Sequence, residues 1–255
     1  MTGMQPFATR GRGIATMPQI VGPGYYRTSA ERFRIAANRI LRRRLNCMDP
    51  TNLRAATLAR FRAWALEANE HLPLLESETD LKPKTAGSVA VRAIAAGYVA
   101  ALCFGADMQG SREDLERFEL WTSLTDEERQ LFGSDVRLTA VKDSNSWVVE
   151  AIQCMAWALC KTGLKHFSPC DENLRSLLPM GVDPSAFCLE AELRPLDVLC
   201  QEADTLYMLH WRAVENNLRG VKDPRLVLPR ISFRRHAADW MIGTAEAWED
   251  VPLDT

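Results

Sequence analysis

Apolar positions in this chain recur at helical spacing, and no stretch alternates convincingly in the manner of a strand. The most apolar stretch is residues 144–163, SNSWVVEAIQCMAWALCKTG, where only Glu150 and Gln153 are polar between Trp147 and Cys160. A helix apolar on all sides belongs inside a globule, packed on several faces. Ser144, Asn145 and Ser146 offer cap acceptors at its start, and Lys161 with Gly163 marks its end. A second apolar helix is predicted over residues 85–104, with Arg92 as its single charge.

Other helices are predicted over residues 51–66, residues 111–121 and a segment opened by the capping box Thr125-Asp126-Glu127-Glu128. Two more run over residues 195–219, from Pro195 to a stop at Gly220, and over residues 231–242, stopped by Gly243. On the first of these, Leu196, Leu199, Ala203, Leu206, His210 and Ala213 make one apolar stripe that includes a histidine. Residues 70–76 are predicted to be extended, because a residue before proline avoids the helical region. Residues 136–141 read as a short strand or a loop, and residues 164–194 are rich in turn signals. The predicted fold is all-α. Residues 48–255 form a single compact multi-helix domain around a buried central helix, preceded by a basic arm over residues 1–47.

Charge divides the chain in the same place. Residues 1–47 hold nine arginines and one acid, a net +8, so with a total of −2 the remainder carries −10. Residues 1–27 are glycine- and proline-containing without helical period and are predicted to be disordered; residues 28–45 are compatible with a basic helix. The arm is the one part suited to nucleic acid or an anionic membrane surface, and neither partner is expected elsewhere. No apolar run of about 18 residues is evident, so no membrane span is expected. Seven cysteines without a C-x-x-C pair, and no secretory pattern at the N-terminus, point to reduced thiols in the cytoplasm. Phosphate-binding, dinucleotide, zinc-protease and serine-hydrolase motifs are missing, so no cofactor or metal is expected.

Arg92 and Glu150 are each the lone charge of a helix expected to be buried. A buried charge is costly without a partner, so the two are predicted to pair, as a structural lock before a tuned carboxylate in a cleft. His210 reads as a satisfied core histidine before a ligand. His236 and Asp239, three residues apart, are candidates for an acid–base pair or two metal ligands. The acids Glu246, Glu249, Asp250 and Asp254 suit a hard cation or, preferably, the arginines 230, 234 and 235, which on their own suit an anion. The tryptophans read as packing, with Trp248 pinning the acidic tail to the domain.

Several of these pieces occur together elsewhere. Residues 69–76 (NEHLPLLE), the Arg92-centred helix, residues 145–151 (NSWVVEA) running on to Trp157-Ala158-Leu159, Leu209-His210-Trp211 after Leu193-Arg194-Pro195, and the close from Arg235 through Trp240 and Trp248-Glu249-Asp250 to Asp254-Thr255 stand in that order. With them, residues 50–255 resemble the bacterial family of domain of unknown function 4272. Two positions depart from its pattern, Val148 where an arginine is expected and Asp239 where an asparagine is expected. The resemblance implies a soluble bacterial α-helical domain and implies no activity.

Two functional readings follow. The leading one is a non-enzymatic protein-binding domain, immunity- or adaptor-like, which should show an exposed acidic or apolar patch. The alternative is a hydrolase or transferase acting on an anionic small molecule. Glu150, His210, His236 and Asp250 would be its polar constellation, with Arg92, Arg234, Arg235 and Trp147 on the binding side.

Overall fold

The computed structural model describes residues 49–77, 79–133 and 146–254; the basic arm, residues 136–141, Ser144 and Asn145 lie outside the described residues. Each early helix starts where a short polar side chain replaces a missing backbone acceptor. Asp49 accepts from Thr51 N at 2.8 Å to open α1 (Pro50–Ala63). Thr85 accepts from Ser88 N at 3.1 Å to open α2 (Ala86–Cys103), and Asp107 accepts from Gly110 N at 2.6 Å to open α3 (Met108–Arg117). The predicted capping box forms in full at α4 (Asp126–Leu131). Thr125 Oγ1 accepts from Glu128 N at 3.1 Å, and Glu128 Oε2 accepts from Thr125 N at 2.9 Å. The remaining helices are α5 (Val148–Ala158), α6 (Ser185–Leu189), α7 (Leu196–Leu218) and α8 (Leu228–Ile242). No strand occurs among the described residues, so the all-α class holds.

α5 lies between α2 and α8, α8 packs also on α7, and α7 on α1. Ile94, Ile152, Met155, Leu206, Leu209 and Ile231, drawn from four of these helices, are fully buried and make the centre of the core. α5 is thus the buried middle helix that its apolar sequence predicted, although the broadest helix–helix interface is α7 against α8.

The ends of α5 differ from expectation. Its cap position is Trp147, whose side chain makes no capping bond. Its stop comes at Ala158, ahead of Gly163, and the left-handed residue that ends it is Cys160 at φ 60°. Lys161 N bonds Ala156 O and Cys160 N bonds Trp157 O, at 2.9 and 3.0 Å, so the last carbonyls are satisfied without a glycine. Ala65 and Glu119 end α1 and α3 in the same left-handed conformation. Gly243, by contrast, stops α8 as predicted, and there glycine is required: a Cβ would lie 2.1 Å from Lys82 O.

α2 is long and apolar enough to cross a bilayer by length and composition. Arg92 interrupts its apolar run, and the buried core helix of a globular protein passes the same test of length and composition. In this fold most of α2 is buried against protein.

Candidate functional site

Arg92 and Glu150 are both buried, at 3% and 2% exposure, and both have partners, but not each other. Arg92 donates to Glu128 through Nη1 at 2.8 Å and Nη2 at 2.7 Å, and to Ser123 O at 3.1 Å. Its guanidinium also lies 4.2 Å from the centre of the Trp248 ring. Glu128 therefore serves twice, as the capping-box acid of α4 and as the counter-charge of α2. The physical premise, that each buried charge needs a partner, was sound, but helical position alone did not say which.

Glu150 turns from α5 toward α8. Arg234 donates to its Oε2 from Nε and Nη2 at 2.9 and 2.6 Å, and Arg230 Nε lies 3.4 Å from Oε1. Oε1 also accepts from Cys170 N at 3.2 Å. The rest of the Arg234 guanidinium is spent on Lys165 O, His166 O and Ser168 O, at 2.8, 3.3 and 2.9 Å. Arg230 reaches Phe167 O at 3.0 Å, and Gln153 bridges Gly163 O and Asp171 N at 2.8 and 2.9 Å. Four side chains of opposed helices, Glu150, Gln153, Arg230 and Arg234, thus hold nearly every turn of the 163–171 loop. The recess beside this knot, which Arg234 also lines, is small, about 130 Å³. Its chemistry is that of a lock: both carboxylate oxygens and most guanidinium N–H groups are committed to the fold.

The next residue of α8 builds a different site. Arg235 Nε donates to Asp239 Oδ2 at 3.1 Å and Nη1 to His210 Nδ1 at 2.9 Å. An arginine can only donate, so His210 accepts at Nδ1 and is neutral. Burial first, and then the Arg235 charge, hold it down to about 4. Nη2 donates to Asp254 O at 3.1 Å, and the guanidinium stacks 4.6 Å from the Tyr207 ring centre. Burial pushes the Asp239 carboxyl up to about 7 against the pull of Arg235. These groups open on a cleft of about 480 Å³ whose walls include residues 72–76, Tyr207, Arg235, Asp239, Pro252 and Asp254. The 72–76 wall is itself held from beneath. Arg54, paired with buried Asp204 at 2.9 Å, donates to Leu72 O and Pro73 O at 2.8 and 2.7 Å.

The sequence candidates therefore separate. His236 does not meet Asp239; its Nε2 bonds Trp248 O at 2.9 Å and its ring stacks on Trp248 at 4.5 Å. Trp248 does pin the tail, packed between His236, Trp240 and Arg92. The tail acids do not meet arginines 230, 234 and 235 through their carboxylates; Arg235 takes the tail by its backbone oxygens. Asp250 is exposed and no bond of either cluster reaches it, and Trp147 is half-buried at the start of α5. Sequence reading missed the Arg54–Asp204 pair and Glu202, which joins His166 at 2.6 Å and Arg60 at 3.2 Å. The signal existed, since each is a charge set on an otherwise apolar helix face, the same oddity that drew notice to Glu150. Among the described residues no group of three or more His, Cys, Asp or Glu gathers as metal ligands would.

The class is thus a helical domain whose loops are stapled by buried arginines, with an open cleft beside the C-terminal tail. The chain belongs to the family described as domain of unknown function (DUF4272), whose model matches residues 54–251. No curated protein and no solved structure matches it.

Proposed function

We propose that this protein acts by binding a partner polypeptide at the cleft between residues 72–76 and the C-terminal tail, an immunity- or adaptor-like role without catalysis. The observation that carries this reading is the wall of that cleft. Leu74 stands 49% exposed on a segment without regular secondary structure whose backbone is clamped by Arg54, with Glu76 and Asp254 beside it. An apolar side chain on a preorganised scaffold, rimmed by acids, suits a protein partner with apolar and basic residues. The −10 charge of residues 48–255 would steer such a partner inward. A cytoplasmic setting accords with the six free cysteines among the described residues.

Affinity capture from the native host, run in parallel with wild type, Leu74→Asp and Glu76→Lys, tests it. A partner held by wild type and lost by both exposed-site variants, at unchanged thermal stability, supports the reading. Equal capture by all three sinks it.

One observation favours the enzymatic alternative on an anionic small molecule. Asp239, brought to about 7, is a proton donor and acceptor poised near neutrality on the wall of the cleft beside Arg235. Glu150, His236 and Asp250 have no part in that version. Asp239→Asn should abolish cellular function without affecting capture if it is right, and leave both intact if it is not.

A further inference from the structure

The cleft between residues 72–76 and the tail holds one buried acid whose bonding is incomplete. Asp239 is 6% exposed and forms part of the cleft wall. Its Oδ2 accepts from Arg235 Nε at 3.1 Å. Among the described residues no donor meets Oδ1, and Oδ1 is not fully enclosed. The 8% of the Asp239 side chain that stays accessible therefore gives onto the cleft. A carboxylate oxygen set this deep without a donor costs free energy that a ligand N–H would recover.

The groups around Asp239 do not supply that donor. From α7, His210 is neutral and turns Nδ1 to Arg235, and Tyr207 stacks on the same guanidinium. From α5, the Cys154 thiol is fully buried, and burial pushes it up so that it stays protonated. Arg235 spends Nη1 on His210 and Nη2 on backbone oxygens of the tail. The other charged residues of the cleft walls are Glu76 and Asp254, both exposed acids. Three carboxyl groups thus line the cleft against one arginine.

An empty acceptor calls for a donor, and a surplus of carboxylates calls for a cation. Leu74 and Pro252, exposed on the walls, suit methylene groups between that cation and its main chain. A lysine side chain has all of these in one unit, with three N–H groups on a compact tip. A guanidinium is flat, needs a wider opening and would lay its charge against Arg235. We propose that the cleft takes a lysine side chain of the partner polypeptide. Its ammonium donates to Asp239 Oδ1 between Glu76 and Asp254, and its stem packs on Leu74 and Pro252. The assignment rests on the binding role proposed above for this cleft and names the residue that fills it. Because Asp239 titrates near 7 in the free protein, the contact should tighten as pH rises through 7 and ionises the carboxyl.

The test is a titration of the full chain, ¹³C-labelled at its leucine methyls, with acetyl-Leu-Lys-Leu amide at pH 6 and pH 8. Saturable shifts are expected at Leu74 and Leu75, with binding about fivefold tighter at the higher pH. The same peptide with norleucine for lysine keeps the stem without the ammonium. It should bind about tenfold more weakly at pH 8 and equally at the two pH values. Asp239→Asn keeps an acceptor at Oδ1 without the charge, so it should bind at both pH values as wild type does at pH 6. That step is too small to release a whole partner in a capture experiment. Glu76→Gln, an exposed substitution, should weaken the lysine peptide about twofold at either pH. Equal binding of the lysine and norleucine peptides would overturn the lysine contact and leave the cleft as the binding face. So would a pH dependence that survives Asp239→Asn. No shift at residues 72–76 with either peptide would overturn the cleft reading along with it.

Discussion

Arg234 and Arg235 are neighbours on α8, both buried, both facing a carboxylate and backbone oxygens, yet they build opposite things. Arg234, with Glu150 and Arg230, closes on the 163–171 loop and leaves no more than a small recess. Arg235, with Asp239 and His210, takes hold of the tail and stands in the wall of a cleft of about 480 Å³. Successive residues on a helix point about 100° apart, so one step of sequence sends the first toward α5 and the second toward α7. Similar ion-pair chemistry is a lock where every polar atom is committed and a candidate site where part of it meets open space. That is why charge on a buried helix is a poor guide to function by itself.

The largest effect should come from breaking the lock. Arg234→Met leaves Glu150 in the core with only Arg230 at 3.4 Å and the Cys170 N–H, and should cost about 3–5 kcal/mol in urea unfolding. Adding Glu150→Leu and Arg230→Met should restore much of it, since apolar side chains then replace the whole buried charge cluster and no charge is left uncompensated. A triple variant no better than the single would mean that the loop carbonyls, not the ion pairs, hold the region.

The second contrast is in pH. Asp239 in the fold titrates near 7 against 3.8 unfolded, so its contribution to stability is complete below about 3.8 and is lost as pH rises to 7. His210, down at about 4 from 6.5, works the other way: its contribution is lost as pH falls from 6.5 toward 4. The two oppose each other across that window. Asp239→Asn removes the first, so its melting temperature should gain steadily on wild type between pH 4 and 7. A constant difference between the two melting curves would show that Asp239 titrates normally and would remove the enzymatic alternative.

The smallest effect lies at the stop of α5, just before the locked loop. Cys160 is exposed and left-handed, so Cys160→Gly should stabilise the protein by about 1 kcal/mol, read from the denaturant midpoint. A loss instead would show that the Cys160 side chain holds a contact that matters.

By itself the sequence determined most of the helices, because period, capping side chains and apolar faces are local; α6, inside the stretch read as turns, was not among them. The capping box at Thr125, the stops at Gly220 and Gly243 and the burial of α5 could all be read from residues within a turn or two of one another. The family, too, was legible from ordered segments of the chain. Tertiary structure alone decided which charges meet. Glu150 lies 84 positions from Arg234, Arg54 lies 150 from Asp204, and Arg92 found Glu128 in place of Glu150. Burial dictates that each must have a partner, but the choice depends on how whole helices rotate and stack, a property of no single segment. The stop at Cys160 was hidden for a related reason. Its left-handed backbone is held by bonds back into α5 and by the packing that follows, which together outweigh the preference for glycine.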